Sequence, residues 1–222
     1  ADLVAIGSHC EALQWLMGQQ QKRAFSTKLL AVGSTAGLHA AQRGECDLAG
    51  IHLLDPVSGQ YNRPYLTPEL ALVEGYGRLQ GVVFRRGDAR FEGRDARAAV
   101  QLIRHQPDCL MVNRNQGSGT RQLIDRLLDG QQPEGYAVQA RSHNAVAAAV
   151  AQGRADWGVA IQRVAEQADL GFLPLSAEQF DFVIPRGRLQ RPAVQEFQRL
   201  LQEASTRSHL RELGMRLGDS PD

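Results

Sequence analysis

The sequence predicts an α/β protein of two βαβ lobes, joined by two crossing strands with a ligand cleft between them. Three observations carry this. Short β-rich runs alternate with helical stretches. The order of elements occurs twice. Each copy is followed by a short apolar run ending in Arg-Gly, at Arg86-Gly87 and Arg186-Gly187.

Residues 3–7 (Leu-Val-Ala-Ile-Gly) read as the first strand, and Ser8 is expected to cap a helix carrying Leu13, Leu16 and Met17 on one face. Residues 28–32 read as a second strand. Ser34 is expected to cap a second helix that stops at Gly44. Residues 47–51 form a third short strand. Downstream, 109–113 is a strand, followed by a Gly-rich turn and a helix over about 120–128. Residues 136–139 make a strand, 143–152 a helix ending at Gly153, and 156–160 a strand. Pro192 suits a first helical position, with Val194, Phe197, Leu200 and Leu201 on one apolar face, and a last helix spans about 208–213.

A shift of 109 superposes the halves: Ala36, Ala40, Gly44 and Asp47 fall on Ala145, Ala149, Gly153 and Asp156, and Leu48 falls on Trp157. In both, an Ala-rich helix ends at Gly and an Asp follows three residues later. With crossings near 81–85 and 181–185, the first lobe is expected over 1–81 and 184–222, and the second over 85–180. Asp47 and Asp156 are expected to hold turns, and Trp157 to lie in the core.

Composition excludes several classes. Hydrophobic residues make up 43% and charged residues 22%, ordinary for a globular chain. Twenty-five basic side chains against 24 acidic ones leave a net charge of +1, so nothing in the balance calls for nucleic acid or an anionic membrane. The longest apolar run, Ala145 to Ala151, is far short of the ~20 residues of a membrane span. The chain opens on a strand without Met or a cleavable leader, so a mature protein or a fragment of a longer chain is expected. Cys10, Cys46 and Cys109 have neither an even count nor ligand spacing, which predicts buried or semi-buried thiols in a reducing, cytoplasmic setting.

The chemistry is concentrated in four strand-to-helix turns: Gly7-Ser8-His9, Gly33-Ser34-Thr35, Gly117-Ser118-Gly119-Thr120 and Arg141-Ser142-His143. Ligands of open parallel sheets bind beyond the carboxyl ends of strands. Helix N-termini there offer unbonded N–H groups and the positive end of the dipole. The candidate ligand-binding residues are therefore Ser8, His9, Ser34, Thr35, His52, Ser118, Gly119, Thr120, Arg121, Ser142 and His143. A single Ser or Thr in such a turn is ordinarily an N-cap; two turns per half favour an anion site. Arg121 is equally suited to the cleft and to a surface ion pair. No metal spacing, nucleophile elbow or carboxylate pair is present, so neither a metal site nor an enzyme is expected.

Gly-Ser-His at 7–9, Val-Gly-Ser-Thr-Ala-Gly at 32–37, residues 44–55, Asn-Arg-Asn-Gln-Gly-Ser-Gly-Thr-Arg at 113–121 and the 143–158 segment resemble the PBP-like domain of bacterial helix-turn-helix regulators. The resemblance covers nearly the whole chain and extends to molybdate- and tungstate-binding proteins. It implies a type 2 periplasmic-binding-protein fold and the effector-sensing part of a transcriptional regulator. A small oxyanion such as molybdate or tungstate would be its ligand, without a cofactor. DNA would be reached only through a separate helix-turn-helix domain absent from these residues; no membrane partner is implied, and a homodimer is left open. The alternatives are an exported receptor of an ABC transporter and a domain assisting molybdenum-cofactor biosynthesis.

Overall fold

The computed structural model describes residues 1–218. The chain divides into two units, Ala1–Gly77 with the chain from Glu178 onward, and Arg78–Ala177. The divisions fall earlier than the expected boundaries at 81–85 and 180–184. The crossing strands are long ones, β4 (Leu70–Phe84) and β8 (Gly171–Pro185), rather than short runs leading into the Arg-Gly ends.

In the first unit β1 (Leu3–Gly7), α1 (Glu11–Lys22) and β2 (Thr27–Ala31) form a βαβ turn, with β1 and β2 parallel from Leu3 opposite Thr27 to Gly7 opposite Ala31. Helix α2 (Ser34–Gln42) leads to β3 (Ala49–Ile51), which pairs antiparallel with β8. An isolated parallel bridge, Ala5 to Leu48, ties β1 to the entry of β3. Alternation along each strand sends side chains to two cores. One gathers Leu3, Leu13, Leu16, Phe180, Phe182 and Phe197. The other gathers Leu38, Ile51, Leu53, Leu70 and Val183.

The second unit adds α3 (Ala96–Ile103), β5 (Met111–Arg114), α4 (Gly119–Leu128), β6 (Gln139–Ala140), α5 (His143–Ala151), β7 (Trp157–Ile161) and α6 (Gln162–Gln167). Strand β5 lies parallel to both β6 and β7, and β4 pairs antiparallel with β7. Trp157 is fully buried against Phe84, Phe91 and Leu128, in the core position expected for it. Strand β6 is shorter than the run expected from Tyr136. The Tyr136 hydroxyl is instead drawn to Asp125 and Arg121 by hydrogen bonds, which holds the residue in a turn. The chain returns through α7 (Pro192–Gln202) and α8 (Ala204–Glu212), with Pro192 first in its helix and Val194, Phe197, Leu200 and Leu201 buried.

The internal repeat is visible in detail. Gly44 and Gly153 both end Ala-rich helices with φ near 70°, which a side chain would strain. Each following aspartate does the same work. Asp47 accepts from the Val4 N–H and pairs with Arg188 and Arg191. Asp156 accepts from the Leu110 N–H and pairs with Arg85 and Arg90. Both pin turns, as expected.

Burial pushes the Asp156 carboxyl up, but the Leu110 N–H and the two guanidinium groups outweigh it and hold it below the usual aspartate value. A carboxyl depressed in the folded state adds stability above its unfolded pKa and loses it as pH falls. The wild type should therefore lose stability below about pH 4 more steeply than Asp156→Asn, read from urea midpoints across pH 3–7. Parallel curves would show that the two arginines do not stabilise the ionised form.

All three cysteines are buried free thiols. Burial raises Cys46 and Cys109 to about 11, which keeps them unreactive.

Candidate functional site

Each unit builds its own donor set at helix N-termini. In the first unit the set begins with a close approach. A Cβ on Gly37 would lie 2.4 Å from Gly7 Cα and 2.8 Å from Ile6 O, so only glycine lets α2 meet the end of β1. That contact sets Ser8 beside Ser34, with their hydroxyl oxygens 2.7 Å apart.

Neither serine caps its helix, contrary to expectation. Helix α1 starts later, and its cap is Cys10, whose Sγ accepts from the Leu13 N–H at 3.4 Å. Helix α2 is preceded by Gly33, and Ser34 is its first residue. The Ser34 oxygen accepts instead from the His52 N–H at 3.0 Å. The two hydroxyls hold two protons and share one bond, so one O–H remains to donate outward. Thr35 follows in the first turn of α2, where backbone N–H groups precede the intrahelical ladder.

His9 is exposed and bonds to Gln14 at 3.1 Å. His52 is buried. Its backbone braces Ser34, its Nδ1 pairs with Glu178, and its ring stacks on Phe180 at 5.8 Å. The structure thus makes His52 a support for the serine pair.

In the second unit Ser118 and Ser142 are N-caps, accepting from the Arg121 and Ala145 N–H groups at 3.1 Å each. The Ser118 hydroxyl donates to Asn115 O at 3.0 Å. Gly119 and Thr120 open α4, and His143 opens α5; all three are buried. The Arg121 guanidinium is engaged inside the unit. It donates to Asp125 at 2.8 Å, to the Tyr136 hydroxyl at 2.6 Å and to Arg114 O at 3.1 Å, and lies 4.6 Å over the Tyr136 ring. Of the two roles open to it, the structure gives it the ion pair.

Arg114 is the residue that sequence reasoning missed. It ends β5 and is only 6% exposed. Its Nη1 lies 3.4 Å from the Thr120 hydroxyl, and 3.2 and 3.4 Å from the two ring nitrogens of His143; its Nε donates to Ala140 O at 3.3 Å. A guanidinium only donates, so the imidazole accepts from it. The set therefore carries a fixed positive charge between the N-termini of α4 and α5. The available signal was an arginine at the end of an otherwise buried strand, two residues after Val112 and hence on its face.

Among the described residues no cluster of His, Cys, Asp and Glu could hold a metal ion, and no helix is long and apolar enough to cross a membrane. The two donor sets combine hydroxyls, helix amides and one buried cation, a chemistry that stabilises anions.

Comparison with known proteins identifies the family and the fold. A family model described as a PBP superfamily domain matches residues 17–202. The chain is 34% identical over 164 residues to the uncharacterized protein YvgK of Bacillus subtilis; the match covers 68% of this chain and 51% of that protein. It thus spans about half the length of this curated relative. Among solved structures, an ABC-type phosphate transport receptor from Vibrio cholerae aligns with a TM-score of 0.66 at 15% identity, over 97% of this chain and 100% of that one. A tungstate ABC transporter protein from Geobacter sulfurreducens gives 0.66 at 16%, over 95% and 97%. A LysR substrate-binding domain from Wolinella succinogenes gives 0.60 at 14%, over 96% and 100%. At these identities the likeness is one of fold, that of the type 2 periplasmic binding proteins.

Proposed function

Since the chain belongs to the PBP superfamily domain family, we propose that it binds a small oxyanion, molybdate or tungstate, as the effector-sensing domain of a bacterial transcriptional regulator. The donors are Ser8, Ser34 and Thr35 with the first turn of α2, and Arg114, Thr120 and His143 with the first turns of α4 and α5. Ser118 and Ser142 act through the helix ends that they cap.

The observation that carries the reading is the buried Arg114 guanidinium set between two helix N-termini. Partial positive charge from the helix ends and a full charge from Arg114 favour an anion over a neutral solute. The named donors include no carboxylate. The hydroxyls and the imidazole can accept as well as donate, so the set favours an oxyanion as a class, and the choice of molybdate or tungstate draws on the sequence resemblance to their binding proteins.

Ligand that binds only the folded state stabilises it, by about 2.7 kcal/mol at 100 times Kd. Molybdate and tungstate should raise the melting temperature by several degrees at constant ionic strength, and sulfate less. Ser34→Ala and Thr120→Ala should each shrink that shift. A shift with an amino acid or sugar and none with any tetrahedral oxyanion would overturn the ligand class.

A second reading, an exported receptor feeding a transporter, draws on the phosphate and tungstate transport proteins that share the fold. The coding sequence upstream decides between them: a helix-turn-helix supports the sensor, a secretory leader the receptor.

A further inference from the structure

The first unit holds a cavity that none of these donors lines. It measures about 440 Å3 and is walled by Gln60, Tyr61, Arg63, Leu72, Glu74, Gln179 and Asp181. Its floor follows from strand alternation: Leu72 and Glu74 share one face of β4, and Gln179 and Asp181 share one face of β8. The rest of the lining is the loop carrying Gln60, Tyr61 and Arg63.

That loop is fixed to the floor by Asn62. Asn62 is fully buried and sits at φ 62°, a conformation costly for a residue with a side chain. Its amide donates to Asp181 Oδ2 at 2.8 Å and Gln179 O at 3.1 Å, while its Oδ1 accepts from the Leu53 N–H at 2.8 Å. The residues on either side of it, Tyr61 and Arg63, both line the cavity. Bonds from Asp55 N–H to Gln60 O and from the Tyr65 hydroxyl to Leu54 O hold the rest of the loop. The wall is preformed, which lowers the ordering cost of binding.

The charges in the cavity differ in how they are satisfied. Asp181 is buried and internally satisfied, accepting from Asn62, from the Gly75 N–H at 3.0 Å and from Gln179 at 2.7 Å. Arg63 and Glu74 both line the cavity, are exposed, and form no ion pair among the described residues. Tyr61 and Leu72 supply apolar surface beside them. Among the described residues, an unpaired Arg63 and an unpaired Glu74 beside an apolar strip complement a molecule with the reverse of each.

We propose that this cavity is a second ligand site, for a small zwitterion bearing a carboxylate and an ammonium group on an apolar carbon skeleton, as an α-amino acid does. The Arg63 fork takes the carboxylate and Glu74 takes the ammonium. The Gln60 and Gln179 amides lie beside the skeleton. The size fits one such molecule, toward the lower end of small-ligand pockets.

The test is titration calorimetry and saturation-transfer NMR on the whole chain, with L-leucine and L-glutamine as probes. N-acetyl-L-leucine lacks the ammonium, and isoamylamine lacks the carboxylate. At least one amino acid should bind, and both truncated analogues should bind at least tenfold more weakly. Arg63→Ala and Glu74→Ala should each weaken binding at least tenfold with unchanged melting temperature, because both side chains are exposed. Molybdate titrations should be the same in both variants as in the wild type, which keeps this site separate from the oxyanion reading. The proposal is overturned if neither amino acid binds at millimolar concentration, if binding survives both substitutions, or if isoamylamine binds as well as leucine. Loss of the molybdate response in the same variants would also overturn it, by merging the two sites.

Discussion

Arg114→Leu should lower oxyanion affinity about a hundredfold. A hydrogen bond to a charged group contributes about 1.5–3 kcal/mol, and a hundredfold change in Kd is about 2.7 kcal/mol. Leucine leaves the Ala140 carbonyl and the His143 ring without the donor they have in the wild type, so some stability is lost as well, and affinity is compared on variants whose folding has been checked by melting. A second effect accompanies the loss of affinity. The Thr120 hydroxyl and the His143 ring lose the guanidinium beside them, so their orientation toward a ligand relaxes. Arg114→Lys keeps the charge without the planar fork and should restore part of the affinity. Calorimetry with molybdate at two salt concentrations provides the readout. Affinity unchanged in Arg114→Leu would show that helix dipoles and hydroxyls suffice, and would remove the observation on which the oxyanion reading stands.

Gly37→Val should destabilise the protein by more than about 3 kcal/mol, at the upper end of overpacking costs. The atoms that a Cβ would meet, Gly7 Cα and Ile6 O, are backbone and cannot rotate away. For a chain of this size the melting temperature should fall by roughly 10 °C. The displaced α2 would also carry Ser34 away from Ser8 and weaken molybdate binding. Gly18, in the interior of α1, provides the contrast. A Cβ there meets nothing within 4 Å, so Gly18→Ala should stabilise by about 0.5–1 kcal/mol. Equal melting temperatures for Gly37→Val and the wild type would mean that α2 can retreat from β1 without loss.

Features that short-range physics encodes are legible in the order of residues. The alternation of β-rich runs and helices fixed the α/β class. The Gly-x-x-Asp repeat marked Gly44 and Gly153 as helix ends, because a left-handed glycine is a local device. The N-caps at Ser118 and Ser142 and the apolar stripe of α7 are legible for the same reason. Tertiary structure decided whatever depends on partners distant in sequence. The N–H groups that Asp47 and Asp156 reach, of Val4 and Leu110, lie 43 and 46 residues away and were supplied by the fold. Ser8 lost its expected cap to Cys10 because the approach of Gly37 to Gly7 drew it toward Ser34. His52 became a support because β8 brought Glu178 and Phe180 to its ring. Two arginines flank one Gly-rich turn, and nothing local separates them. Asp125 and Tyr136 engage Arg121. The meeting of β5 with the first turns of α4 and α5 buries Arg114 at the donor set, since burial and charge pairing are properties of the folded neighbourhood and not of the residue.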